Sequence, residues 1–194
     1  MHKFILASGN AHKAEEFSTL FDKEVIEIVA SDKKLDVVED GTSFNENAFK
    51  KAHAYYQEFK SPVMADDSGL CVEALPDELG LYTARYGGEG LSGKERSELL
   101  VKNMKDIENR KAYFVCVLCF YLSPDEIYYF EGRLQGEISK EYRGNQGFGY
   151  DPVFLPEGLP GGRTLAEDPL WKEDHSHRSK ACEQAQRFFA AQIK

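Results

Sequence analysis

No stretch of this 194-residue chain stays apolar for long. The N-terminal run Phe4 to Ala7 is too short for the apolar segment of a secretory leader, and nothing elsewhere approaches the ~20 residues that cross a bilayer. The expectation is a cytoplasmic protein with no membrane partner. A basic excess is also missing. Lys and Arg number 24 against 33 Asp and Glu, a net charge of −9. That excludes broad binding along a nucleic-acid backbone, which needs a basic face. A small anion stays possible, because a few local cations or a metal can outweigh the global field. Linkers rich in Pro, Gly or Ser, low-complexity tracts and internal repeats are absent, so residues 1–194 read as a single domain.

Cysteines are few: Cys71, Cys116, Cys119 and Cys182. Cys116 and Cys119 form a C-x-x-C inside "AYFVCVLCFYL", which reads as a buried strand. Residues three apart on a strand point to opposite faces, so the pair is expected to be structural thiols, not a redox or zinc motif. The two familiar phosphate loops are lacking as well. "FILASGNAHKAEEF" (4–17) has the outline of one, an apolar strand turning through Ser-Gly-Asn into a helix. Yet it has neither the Lys-Ser/Thr pair of a P-loop nor the spaced glycines of a dinucleotide fingerprint.

What is present alternates between strand and helix patterns. Residues 3–7 and 24–30 read as strands and 11–21 as a helix. A helix over 44–59 carries Phe44, Ala48, Ala52, Tyr55/Tyr56 and Phe59 on one stripe, with Ser43 and Glu46 as a capping box. "PVMADD" reads as a strand that ends at its aspartates, with 70–74 extended beyond it. A second capping box, Ser92 with Glu95, opens a helix with Leu99/Leu100, Met104 and Ile107 on its apolar face. From Ala112 a β-hairpin turns at Ser-Pro-Asp, another strand lies near 153–155, and Ser176 starts a last helix. Alternation first and neighbouring strands later predict an α/β protein with a mixed sheet.

Five stretches carry residues suited to chemistry. In the opening loop, Lys13 in the first helical turn opposes the helix dipole. An anion lodged there would reverse that, held by Lys13, the Ser8 hydroxyl and backbone made accessible by Gly9, with Asn10 at the cap. In "VMADDSGL", strand alternation sends Asp66 and Asp67 to opposite faces, so one of the two is expected in any site. In "VEDGTSF", Asp40 can serve the turn and Glu46 the cap, which leaves Glu39 without a local job. Glu39 and one aspartate would suit Mg²⁺, an ion that takes few carboxylates and leans on water and phosphate oxygens. "GNQGFGYDPVF" holds three glycines, with Phe148 or Tyr150 able to stack on a planar ring and Asp151 able to accept from a ring N–H. Finally, Lys172, His175, His177, Arg178 and Lys180 surround a helix start, where cations again oppose the dipole. "LYTARYGG" adds a buried-looking Arg85.

Taken in order, these motifs resemble the inosine triphosphate pyrophosphatase family, the RdgB-like pyrophosphatases of non-standard purine nucleoside triphosphates. "SGNAHK" looks like the family's S/T-G-N-x-x-K, and "EDGTSFNENA" like its E-x-G-x-S/T-F-x-E-N-A. "ADDSGL" and "GFGYDPVF" match as they stand. "YTARYGG" and "AEDPLWKEDHSHRSKA" are similar to its S-A-R-Y and A-E…K…S-H-R segments. The resemblance covers nearly the whole chain. It implies an elongated mixed-sheet fold with two lobes flanking a nucleotide cleft, a homodimer, and Mg²⁺-dependent hydrolysis of ITP, dITP and XTP to the monophosphate and pyrophosphate. Carried over by position, it implies that Ser8, Gly9, Asn10 and Lys13 hold phosphates. Glu39 and Asp67 serve the metal, and Asp67 is the base for the attacking water. Ser68, Phe148, Gly149, Tyr150, Asp151, Lys172, His177 and Arg178 bind the nucleotide. Departures are Leu79-Gly80 where the family has Pro-Gly, Pro169 after Ala166-Glu167, and Ser179 where Gly is frequent. The rival readings are a Maf-like nucleotide pyrophosphatase, whose arginine-rich opening loop this chain lacks, and a non-catalytic nucleotide sensor on the same scaffold.

Overall fold

A computed structural model describes residues 1–8 and 11–193, with the side chains of 11–15 excepted. The strands are β1 (His2–Leu6), β2 (Ile26–Ala30), β3 (Val63–Val72), β4 (Lys111–Ser123), β5 (Glu126–Ile138) and β6 (Phe154–Pro156). They form one six-stranded sheet in the order β2-β1-β3-β4-β5-β6. β1 runs parallel to β2 and to β3, and β5 pairs antiparallel with β6, so the sheet is mixed as its sequence pattern predicts. The helices are α1 (Ala11–Leu20), α2 (Phe44–Phe59), α3 (Gly93–Asn103), α4 (Pro169–His175) and α5 (His177–Ala190).

The chain divides into two compact units. The first comprises Met1–Asp67, Cys116–Gly132 and Arg178–Lys194; the second comprises Ser68–Val115 and Arg133–His177. The first is built on an aromatic core. Phe4 from β1, Phe120 from β4 and Phe189 from α5 meet with ring centroids 4.8–5.3 Å apart and are essentially buried. Such ring pairs add ~0.5–1.5 kcal/mol each beyond the area they bury. α2 turns Ala48, Ala52 and Tyr55 inward, as its stripe predicts, but also the polar Asn47. The second unit's core joins Leu100 and Met104 of α3 to Phe114, Val153, Phe154 and Leu165.

Several local expectations change. β3 does not end at the aspartates but runs on to Val72. The box at α2 is only half formed. Ser43 accepts from Glu46 N–H, whereas the Glu46 carboxylate accepts from the backbone and hydroxyl of Thr42. The box at Ser92 and Glu95 is complete. Ser176 stands directly before α5, as its sequence predicts, and also closes α4, its N–H donating to the Lys172 carbonyl. α4 has Asp168 at its cap and Pro169 at its first position, where proline's fixed φ fits. Arg85 is exposed and lies 5.2 Å from the Tyr82 ring centroid. Among the described residues no helix is long and apolar enough to cross a membrane.

Candidate active site

The first unit carries an acidic cluster where β1 stops pairing with β3. Leu6 lies opposite Met64, and Ala7 N–H still donates to the Met64 carbonyl at 2.8 Å. Beyond that rung β1 turns away at Ser8, while β3 continues through Asp66 and Asp67. An open cavity of about 380 Å³ forms there, lined by Ser8, Lys34, Glu39, Lys51, Tyr55 and Asp66. Strand alternation does separate the two aspartates. Asp66 is buried at 2% exposure and faces the guanidinium of Arg178, 3.9 Å away. Asp67 faces Lys51, whose ammonium lies 3.5 Å from it and 2.6 Å from Glu39 Oε2.

Lys51 therefore ties Glu39 to Asp67, and the sequence reading had missed it. Its signal was present. Lys51 follows Asn47 by one helical turn, and both lie off the Phe44–Phe59 stripe, on one face of α2. Asn47 is buried, accepts from Gly41 N–H at 2.8 Å and donates to Asp67. A Cβ on Gly41 would come within 2.6 Å of Asn47 Oδ1, so the turn carrying Glu39 is pressed against this amide. Burial pushes the Asp67 carboxyl above the usual carboxylate range, and Glu39 and Asp66 add to the rise against the pull of Lys51 and Asn47. Burial works against the charge on Lys51, yet Asp67, Asp66 and Glu39 outweigh it, so its pKa lies above the ordinary value.

Arg178 is buried at 4% exposure, pairs with Glu16 at 2.9 Å and lies over the Phe17 ring. Desolvation disfavours its charge, but Asp66, Cys116 and Glu16 overcome that and raise its pKa. The carboxylate oxygens of Glu39 and Asp67 are the hard donors that Mg²⁺ takes. The ammonium already drawn between them shows that the cluster is arranged around positive charge. Among the described residues no three His, Cys, Asp or Glu side chains converge to hold a metal unaided.

The second unit carries another cluster. Asp151, 3% exposed, accepts at Oδ2 from Lys172 Nζ at 2.6 Å and from Phe148 N–H at 2.9 Å. The Lys172 ammonium lies 4.3 Å from the centroid of the Phe148 ring, which is 60% exposed. Tyr150 is buried and donates from its hydroxyl to the Thr83 carbonyl; burial raises its pKa further. His177 is buried and stacked on Phe114, with centroids 4.9 Å apart. Ser68 follows Asp67 on β3 and is half-buried.

The structure thus joins Ser8, Glu39 and Asp67 with Lys51 in one cluster, and Phe148, Gly149, Tyr150 and Asp151 with Lys172 in another. Gly9, Asn10 and the Lys13 side chain lie outside the described residues. Lys34, Lys51 and Asn47 are the additions that sequence reasoning did not single out.

The chain is thus a mixed-sheet α/β protein with a lysine-bridged carboxylate cluster beside its first strand in one unit and an exposed aromatic beside a lysine–aspartate pair in the other. The chain belongs to the Ham1 family, whose profile matches residues 4–188. It is 44% identical over 193 residues to the dITP/XTP pyrophosphatase of Opitutus terrae, covering 92% of this chain and 94% of that one. It is 40% identical over 189 residues to the dITP/XTP pyrophosphatase of Aquifex aeolicus, covering 92% of each. The solved HAM1 protein of Coxiella burnetii superposes with a TM-score of 0.89 at 34% identity, over 98% of this chain and all of that one.

Proposed function

We propose that this protein hydrolyses ITP, dITP and XTP to the nucleoside monophosphate and pyrophosphate, with Mg²⁺ as cofactor, as a homodimer in the cytoplasm. The observation that carries the reading is the Glu39–Lys51–Asp67 cluster beside Ser8, in a chain related along its length to proteins named for this activity. A triphosphate brings about four negative charges at neutral pH, given a terminal pKa near 6. Lys51 and Lys34 answer part of that charge, with Ser8, Gly9, Asn10 and Lys13 as the phosphate-holding loop.

Asp67 orients a water and accepts its proton as the water oxygen bonds to phosphorus, the α–β anhydride bond breaks and pyrophosphate leaves. General-base assistance of this kind contributes ~10²–10⁴-fold. Burial makes Asp67 a stronger base than an exposed aspartate, and Lys51 and Asn47 hold it in place. Glu39 and Asp67 would hold Mg²⁺, which when bound would supply charge neutralisation and polarisation of the phosphoryl group.

The base is read by the second cluster. Hypoxanthine and xanthine present O6 as acceptor and N1–H as donor, and adenine presents the reverse. Lys172 is the donor and Asp151 the acceptor, with Phe148 as the stacking face; ATP would leave these groups unpaired.

A panel of ITP, dITP, XTP, GTP and ATP with Mg²⁺, read for both rate and product, tests this. The first three are expected to yield monophosphate and pyrophosphate, with ATP at least ~100-fold lower in kcat/KM. Equal rates on ATP and ITP, or release of orthophosphate, would refute it. Light scattering after gel filtration tests the dimer.

A further inference from the structure

The segment 144–151 presents Phe148 and Asp151 without a regular ladder of its own. Gly144, Gly147 and Gly149 sit at φ of +85°, +74° and +58°. Glycine backbone is permissive, so the course of this loop depends on ties from outside. Two such ties act on successive residues. Tyr150 is tied through its hydroxyl to the carbonyl of Thr83, whose own Oγ1 donates to the Gly80 carbonyl at 2.6 Å and accepts from Leu70 N–H at 2.9 Å. Gly149 is tied through its carbonyl, which accepts from Ser97 Oγ at 2.9 Å.

Ser97 is fully buried in the middle of α3. A helical serine commonly turns its hydroxyl back to a carbonyl of its own helix. This one donates across to a loop 52 residues away in sequence. Its own position is firm, because the complete capping box at Ser92 and Glu95 anchors the first turn of α3. Gly93, in that turn, lies close enough that an added Cβ would stand 3.5 Å from the Gly149 backbone.

We propose that Ser97 is a positioning residue for purine recognition: its hydroxyl fixes the plane of the Gly149 peptide, and thereby the placement of the Phe148 ring and of the Asp151–Lys172 pair. The inference rests on the proposed function and adds a selectivity device remote from the ligand. Freed of Ser97, the Gly149 peptide can rotate, which carries Phe148 away from the Lys172 ammonium and releases the Phe148 N–H from Asp151.

The test compares wild type with S97A, and with L100V as a control for helix packing, since Leu100 lies on the same helix and faces the core. Turnover on ITP and ATP is measured with Mg²⁺. Affinity for ITP is measured without it, through the fluorescence of Trp171, the single tryptophan, adjacent to Lys172. S97A is expected to raise KM and Kd for ITP ~3–10-fold, the worth of one hydrogen bond. Its kcat should change by less than about twofold and its preference for ITP over ATP should fall. L100V should melt lower with KM and preference unchanged. A melting shift in S97A with wild-type KM and preference would overturn the proposal. Should S97A not fold, S97C carries the test with a similar volume and a weaker donor: an intermediate rise in KM supports the role and an unchanged KM overturns it. Wild type that fails to hydrolyse ITP refutes the proposed function itself. Wild type active on ITP beside an unaltered S97A refutes the role of Ser97 alone.

Discussion

At the scale of single residues, Asp67 is the position where fold and chemistry pull hardest against each other. Burial raises its pKa, so the folded chain prefers the neutral acid. That preference stabilises the fold at acid pH and is lost as pH rises through the folded value. At neutral pH the ionised carboxylate is a net cost that catalysis requires. D67N is therefore expected to lose turnover on ITP by ~10²–10⁴-fold, while melting no lower than wild type at pH 7. Its advantage in Tm should grow from pH 4 to pH 7, as a pair of thermal scans would show. A variant that melts lower at pH 7 than at pH 4, relative to wild type, would contradict the sign. Glu39 and the Asp66–Asp67 pair were legible in the sequence because no local turn or cap needed Glu39, and because paired acids in an apolar strand are costly. For Lys51 only the spacing from Asn47 was legible, since charge at an exposed-looking helical position says nothing of which carboxylates will be folded against it.

At the scale of elements, periodicity and capping were enough to place α2 over its full span and most strands to within a residue or two. Failures came where two short signals competed. Pro169 looked like a disturbance, yet with Asp168 before it the pair makes a cap and first turn, and α4 follows. Ser176 serves two helices at once, closing α4 directly before α5 begins at His177. The glycine-rich loop was recognisable as more than a turn, but its anchoring by Ser97 and Thr83 links segments far apart in the chain and leaves no local pattern. Gly147 shows how tightly that loop is held. A Cβ there would stand 2.2 Å from Asp151 Oδ2, at a φ of +74°. G147A should displace the carboxylate that holds Lys172, raising Kd for ITP at least ~10-fold. The left-handed strain of about 1–2 kcal/mol should also lower Tm by ~2–8 °C. Fluorescence titration and calorimetry measure the two effects.

At the scale of the whole molecule, the order of six motifs along the chain conveyed the family, the mixed sheet and a fold of two lobes, whereas which segments make up each of the two interleaved units was not legible. That division depends on which distant segments touch, and composition does not change where the chain passes from one unit to the other. Both cores are closely filled, and the thiols report on this. Cys116, Cys119 and Cys182 are buried, and Cys71 is half-exposed. Burial pushes the Cys119 thiol up to about 12 and the Cys182 thiol well above its ordinary value. A thiol-specific reagent at pH 8 should thus label only Cys71 in the native protein and all four cysteines after denaturation. Rapid labelling of a second native thiol would show that the core opens.

The interleaving also bears on how the protein is made. The first unit receives its opening segment up to Asp67 early in synthesis, but Ala181, Ala185 and Phe189, which complete its core, arrive about 110 residues later. At roughly 5–20 residues per second, the nascent chain carries Phe4 and Phe17 without their last partner for at least ~6–20 s after Asp67 is made. The core of that unit is therefore complete only once α5 has been made, and its aromatic face stays open until then.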